Sequence, residues 1–268
     1  MTSSSINIPL TIIKAFSIWI IFQIAFYWGG AVGPLLPQSM KAIVFGGSLS
    51  LFVYFLTKVY LRTDTLTMGD LGMTLSPGSW MRFSLSLVVG MAFFGAFFVA
   101  YLLFTPVKIV PILEPNYLNT IFVSLLSFVM LGVMEELVFR GYFMKKLETA
   151  IGIRGAIYLT SIAFGLYHGI TIDSITGPAI WGLLYAVLAY WSKGLAIPIG
   201  FHIGANYIQA LFSQKEKWVS GLWNFDVTQQ STLFTIEQVT LMNQLALLTL
   251  AIFLVEYYLR KVRPKQEQ

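Results

Sequence analysis

The sequence predicts an all-α polytopic bundle of about eight transmembrane helices, and three observations carry that prediction. Apolar residues make up 57% of the 268-residue chain and charged residues 11%, where a soluble domain carries about 25% charged residues. Mean hydropathy is +0.75, and the apolar residues gather into runs close to the roughly 20 residues needed to cross about 30 Å of hydrocarbon. The runs are continuous rather than alternating with period two, which argues against a membrane β-barrel.

The first run, 9–28, follows Met1-Thr2-Ser3-Ser4-Ser5. That start has neither a basic stretch nor a small-residue cleavage site, so the run reads as a retained helix. Runs at 41–61 and 82–104 supply the second and third spans, and the fourth, 117–139, closes on Glu135-Glu136-Leu137-Val138-Phe139-Arg140. The fifth and sixth, 153–170 and 177–192, are short and broken at Gly177-Pro178. Runs at 195–213 and 239–259 complete the set. No soluble segment is long enough to stand apart and no internal repeat is visible, so residues 1–268 form a single integral membrane domain, with 117–213 as its core.

Charge sets the orientation. Lys58, Arg62 and Arg82 flank the second connection, Lys145, Lys146 and Arg154 the fourth, Lys193 the sixth, and Arg260, Lys261, Arg263 and Lys265 follow the last span. The opposite connections hold chiefly Lys41, Lys108, Lys215 and Lys217, with Glu216 between the last two. Cytoplasmic loops carry the excess of Lys and Arg, so both termini are expected in the cytoplasm and the protein in the plasma membrane. The net charge of +5 and pI near 9.3 arise from these clusters, and no basic-aromatic surface points to nucleic acid. The absence of cysteine excludes disulfides, thiolate ligands and a cysteine nucleophile.

Ionisable groups inside a bilayer are costly and mark functional sites by default. Besides Glu135, Glu136 and Arg140, the core carries Phe164-Gly165-Leu166-Tyr167-His168 and His202-Ile203-Gly204-Ala205-Asn206, which contain both histidines of the chain. At about 1.5 Å per residue, Glu135 lies about 15 Å from Lys145, His168 about 21 Å from Arg154 and His202 about 13 Å from Lys193. The three patterns therefore fall at compatible depths and form one site.

Within it, Glu136 and Arg140 are spaced to pair along a helix face, which turns Glu135 elsewhere, free to act on water. Phe164 sits one turn before His168 and is expected to pack beside the imidazole. His202 and Asn206 project from one helical face. A carboxylate and an imidazole can hold a water, with the carboxylate taking its proton during attack on an amide, while an imidazole N–H and an Asn N–H can stabilise the oxyanion. Tyr142, Tyr167 and Tyr207 are expected to pack, Asp173 and Asp226 to lie in extracytoplasmic loops, and Gly204-Ala205 to let helices approach closely.

At these residues the chain resembles the CPBP intramembrane proteases, the CAAX-processing and bacteriocin-processing (Abi) family. Its pattern of E-E-x-x-x-R, F-x-x-x-H and H-x-x-x-N is met in order from Glu135 to Asn206. The resemblance implies a glutamate-dependent endopeptidase with a cavity reached from the cytosol. Glu135 would be the base, His168 would position water, His202 and Asn206 would form the oxyanion site, and Glu136 with Arg140 would support them. The implied substrate is a membrane-associated protein or peptide, with or without an attached lipid. One Glu and two His could hold zinc, but H-E-x-x-H is missing and Asn is a poor ligand, so a metal-free reaction is expected, with zinc as the alternative. A non-catalytic immunity or assembly factor and a proton-coupled transporter are the rival functions. The transporter predicts inverted repeats, which the sequence lacks.

Overall fold

A computed structural model describes residues 7–32, 38–74, 76–215, 221–228 and 233–262. Met1 to Ser5, Glu216, Lys217, Arg263 and Lys265, which entered the sequence reading, lie outside the described residues. The order is α1 (Ile8–Val32), α2 (Gln38–Thr63), a 3₁₀ turn (Met68–Leu71), α3 (Pro77–Phe104), β1 (Val107–Pro111), a π-helical turn (Leu118–Val123) and α4 (Ser124–Glu136). A second π-helical turn (Leu137–Phe143) leads into α5 (Met144–His168). Then come α6 (Ile172–Ser174), a third π turn (Ile175–Ala179), α7 (Ile180–Ser192), α8 (Ala196–Leu211), β2 (Trp223–Val227) and α9 (Ile236–Val262).

The protein is a multi-pass, all-α membrane bundle. Among the described residues six helical stretches are long and apolar enough to cross a membrane: Ile8–Ala31, Ile43–Thr63, Pro77–Phe104, Leu118–His168, Ile172–Ser192 and Ile236–Lys261. Length and composition thus do not return the expected eight. The expected fourth and fifth spans share the single 51-residue stretch Leu118–His168, which departs from helical geometry at Gly141 and again at Gly152, where φ is +75°. The expected seventh span is α8, whose 16 residues fall short of a full crossing.

Polar contacts define two ends of the bundle. At one, Lys14 of α1 and Lys146 of α5 pair with Asp64 after α2, Arg154 pairs with Glu256 of α9, and Gly72 lies against Gly194 before α8. The described chain begins and finishes near this end, called here the terminal end. At the other, β1 and β2 form a two-stranded antiparallel ladder with Lys108 opposite Asp226, and these two side chains pair at 3.3 Å. This ladder end holds the only strands among the described residues, in segments that follow or precede apolar helices and carry enough polar residues to sit in water.

The stretches that carry the first two motifs and α7 are innermost. Half of the most apolar window of Leu118–His168 and 56% of that of Ile172–Ser192 is buried, against 11–22% in the other spans. The outer helices turn large apolar side chains outward, among them Ile13, Leu51, Val88 and Phe253, as a lipid-facing surface requires. α8 is drawn onto α3 by missing side chains: a Cβ at Gly200 would strike the Phe83 carbonyl, and one at Gly204 the Leu87 carbonyl. Small residues permit such backbone approach between membrane helices. The close approach expected at Gly204 is therefore present, and it fixes the helix that carries His202 and Asn206.

Candidate active site

Glu135 and Glu136 close α4, just before the π turn that contains Arg140. Single π turns inside helices recur at functional sites, and this one keeps the i, i+4 spacing productive. Arg140 Nη1 donates to Glu136 Oε1 at 3.1 Å and Nη2 to the Gly182 carbonyl of α7 at 3.1 Å. The guanidinium lies over the Phe164 ring at 4.3 Å and the Tyr185 ring at 5.2 Å. Both charged side chains are fully buried. Gly182 is required here, because a Cβ would crowd Arg140 Nη2 and the Ser161 backbone.

His202 reaches into the same cluster. Its Nδ1 lies 2.9 Å from Glu136 Oε1 and its ring stacks on Tyr185 at 4.4 Å and 19°. A carboxylate only accepts, so Nδ1 carries the proton and Nε2 turns towards Glu135, whose Oε2 is 3.6 Å away. In the neutral ring Nε2 is an acceptor, and it becomes a donor only when the ring takes a second proton.

His168 closes α5, and its Nδ1 donates to the Phe164 carbonyl at 2.9 Å. Phe164 packs edge-on against it at 4.7 Å, as the one-turn spacing predicts. The bond to a carbonyl leaves His168 Nε2 as an acceptor. Tyr167, expected only to pack, donates its hydroxyl to Glu135 Oε1 at 3.2 Å. The other two tyrosines also have polar partners, since Tyr142 donates to Asp64 and Tyr207 to the Ile121 carbonyl. The spacing of Tyr167 held no signal for this role, because its direction depends on how α5 packs against α4.

Glu135, His168, His202 and Asn206 all line one cavity of about 560 Å³, within the range of small-ligand sites. Phe26, Phe94, Phe128, Trp181 and Tyr185 supply apolar wall, and Gly177, Gln209 and Lys215 line it towards the ladder end. Glu136 and Arg140 lie beneath it. The cavity therefore extends from the buried ion pair towards the ladder end, away from Lys145, Lys193 and the terminal end. The cytoplasmic termini expected from charge and the cytosol-facing cavity implied by the family resemblance refer to opposite ends of this bundle. Among the described residues no group of three His, Asp or Glu side chains is placed to hold a metal ion.

Fold and site together define a multi-pass integral membrane protein with a buried acid–base constellation facing a cavity. Residues 117–208 match the family model described as Type II CAAX prenyl endopeptidase Rce1-like. This is the CAAX-protease family that the three motifs resemble, and the matched segment contains all of them. It is a protease family, which supports a peptidase. No curated protein and no solved structure gives a significant match.

Proposed function

We propose that the protein is a metal-free intramembrane endopeptidase that hydrolyses a peptide bond of a membrane-associated protein or peptide. The observation that carries this reading is the convergence of Glu135, His168, His202 and Asn206 on one cavity within the segment that matches the protease family. A water between Glu135 and His168 gives one hydrogen to the carboxylate and the other to His168 Nε2. As the water oxygen attacks the amide carbon, Glu135 takes the first proton and later delivers it to the leaving amine, so the base ends as it began. Tyr167 holds the Glu135 carboxylate by its other oxygen. The Asn206 amide donates to the oxyanion, joined by His202 Nε2–H when that ring is doubly protonated and its Nδ1–H is held by Glu136. Arg140 holds the Glu136 carboxylate in place for that purpose.

The Lys and Arg residues of the terminal end carry the orientation. Both termini are cytoplasmic, and the cavity is then approached from the opposite face of the plasma membrane. Tags at the N-terminus and after Gln268 are accessible from the cytoplasm, and a tag between Lys215 and Trp218 reports the other side. The reverse pattern restores a cytosol-facing cavity. The function itself is tested by mass spectrometry of membrane and secreted peptides from cells holding the wild-type protein or Glu135→Gln. A set of cut peptides present only with the wild type is expected, and identical peptide sets overturn the reading.

A further inference from the structure

A second cavity of about 430 Å³ lies beside the first, among α3, α7, α9 and the β1–β2 ladder. Phe94 and Trp181, stacked at 5.4 Å and 23°, line both cavities and form a shared wall between them. The second cavity is in the size range of small-ligand sites. Among the described residues no Asp, Glu, Lys, Arg or His lines it. Its surface is mostly aromatic and aliphatic, broken by a few hydroxyls and amides. Three of these are satisfied within the protein. Thr240 donates to the Ile236 carbonyl at 2.8 Å, the Tyr101 hydroxyl donates in turn to Thr240 Oγ1 at 2.7 Å, and Gln209 Nε2 donates to the Ala205 carbonyl at 2.9 Å. Asn243 differs. Its Nδ2 is closed off from solvent and has no hydrogen-bond partner among the described residues.

A buried N–H without an acceptor carries a desolvation cost that a ligand carbonyl would relieve. The surroundings narrow the choice of ligand. α9 has 27 residues, about 40 Å of helix against about 30 Å of hydrocarbon, so about 5 Å at each end lies among lipid headgroups. Asn243 is about 10 Å along α9 from Ile236, which puts it about 5 Å below the hydrocarbon boundary. That is close to the level at which the ester carbonyls of glycerolipids join their acyl chains. α3 and α9 are outer helices that turn Val99, Leu103, Leu245 and Phe253 outward, so lipid borders the seam that holds the cavity. A cavity without charge has nothing to grip an ion, a phosphate or a peptide terminus. Its walls, with Phe97, Phe98 and Leu247 among them, suit a hydrocarbon chain.

We propose that this second cavity binds a membrane glycerolipid, with part of an acyl chain between α3 and α9 and one ester carbonyl accepting from Asn243 Nδ2. The site is independent of the peptidase reading, and its test involves no turnover. Purified full-length protein, stripped of lipid in detergent, is titrated with dioleoyl phosphatidylcholine or with its ether-linked analogue. The analogue has the same headgroup and chains but lacks both carbonyls. Retained lipid is counted by native mass spectrometry, and affinity is followed through the rise in thermal midpoint. The wild type is expected to bind the ester lipid about fivefold or more tightly than the ether lipid, as a hydrogen bond to an otherwise unmet donor warrants. Asn243→Leu keeps the volume and removes the donor, so it should bring the two lipids to within about twofold by weakening the ester lipid alone. Asn243→Gln keeps the amide and should retain the preference, which shows that the fold tolerates a change at this position. Dioleoyl phosphatidylglycerol should bind as well as the phosphatidylcholine, because no charge lines the cavity. Equal binding of ester and ether lipid by the wild type, no retained lipid, a preference that survives in Asn243→Leu, or selection by headgroup each overturns the proposal.

Discussion

Two carboxylates gather cations and an aromatic residue in this molecule, in opposite surroundings. Glu136 is fully buried, holds Arg140 and His202 through one oxygen, and lies under the cavity. Asp64 is 14% exposed at the terminal end, where Lys14 at 2.8 Å, Lys146 at 3.0 Å and the Tyr142 hydroxyl at 2.7 Å share its two oxygens. The first cluster is incompletely satisfied, since Glu136 Oε2 and Arg140 Nε have no partner among the described residues. The second uses both oxygens and has solvent nearby. Each carboxylate gathers basic side chains, and burial separates the roles. A buried cluster orders the His202 imidazole at the cost of unmet polar atoms, whereas an interfacial one clasps three helices where the membrane meets water.

The comparison predicts unequal costs. Glu136→Ala or Arg140→Ala leaves a buried charge alone and should destabilise by about 3–5 kcal/mol, seen as a lower thermal midpoint in detergent together with lost activity. Unchanged midpoint and turnover would mean that the pair does not hold the site. Next come His202→Ala and Asn206→Ala, each expected to slow turnover by about 10²–10³-fold, with substrate affinity closer to normal because the contact strengthens in the transition state. A purely raised KM for either would move that residue from oxyanion stabilisation to binding. Tyr167→Phe removes one neutral hydrogen bond to Glu135 and should slow turnover by about tenfold, on the scale of a 1.4 kcal/mol contact; an unaffected rate would return Tyr167 to packing.

Asp64→Asn should have the smallest effect on function, costing about 1–3 kcal/mol of stability with turnover kept. Burial raises the Asp64 carboxyl, but Lys14, Tyr142 and Lys146 together outweigh it and hold it below the usual range. A depressed carboxyl stabilises the fold above its unfolded value of about 3.9, and that contribution fades as pH falls through the lower folded value. The wild type should therefore lose this part of its stability only below about pH 4, and Asp64→Asn should lack that acid-dependent part. An equal acid slope in both proteins would dissolve the clasp.

Much of this was legible in the sequence where spacing alone decides. Long apolar runs gave the helices, four-residue spacing gave Glu136 with Arg140, and one helical turn put Phe164 against His168. What was not legible depended on tertiary packing. The π turns at Leu137–Phe143 and Ile175–Ala179 leave no pattern in the residues, and the break at Gly152 falls between the expected fourth and fifth spans. Counting residues from Lys145 and Lys193 fixed depth, but depth does not say towards which end a cavity extends. That depends on how α5, α7 and the cap after α8 are arranged. The Tyr167 hydroxyl and the Lys215 side chain reach the cavity for the same reason, through packing.

The central claim is that Glu135 is the base of a peptide hydrolysis that needs no metal. Its most direct test is turnover of a peptide cleaved by the wild type, measured with purified, exhaustively chelated wild-type and Glu135→Gln proteins side by side. The substitution keeps size and hydrogen bonding but removes the basic oxygen, so the chelated wild type should stay active and Glu135→Gln should fall by at least about a hundredfold. A well-folded Glu135→Gln protein that cleaves at near-normal rate, or a wild type that stops on chelation and recovers with stoichiometric zinc, would contradict it.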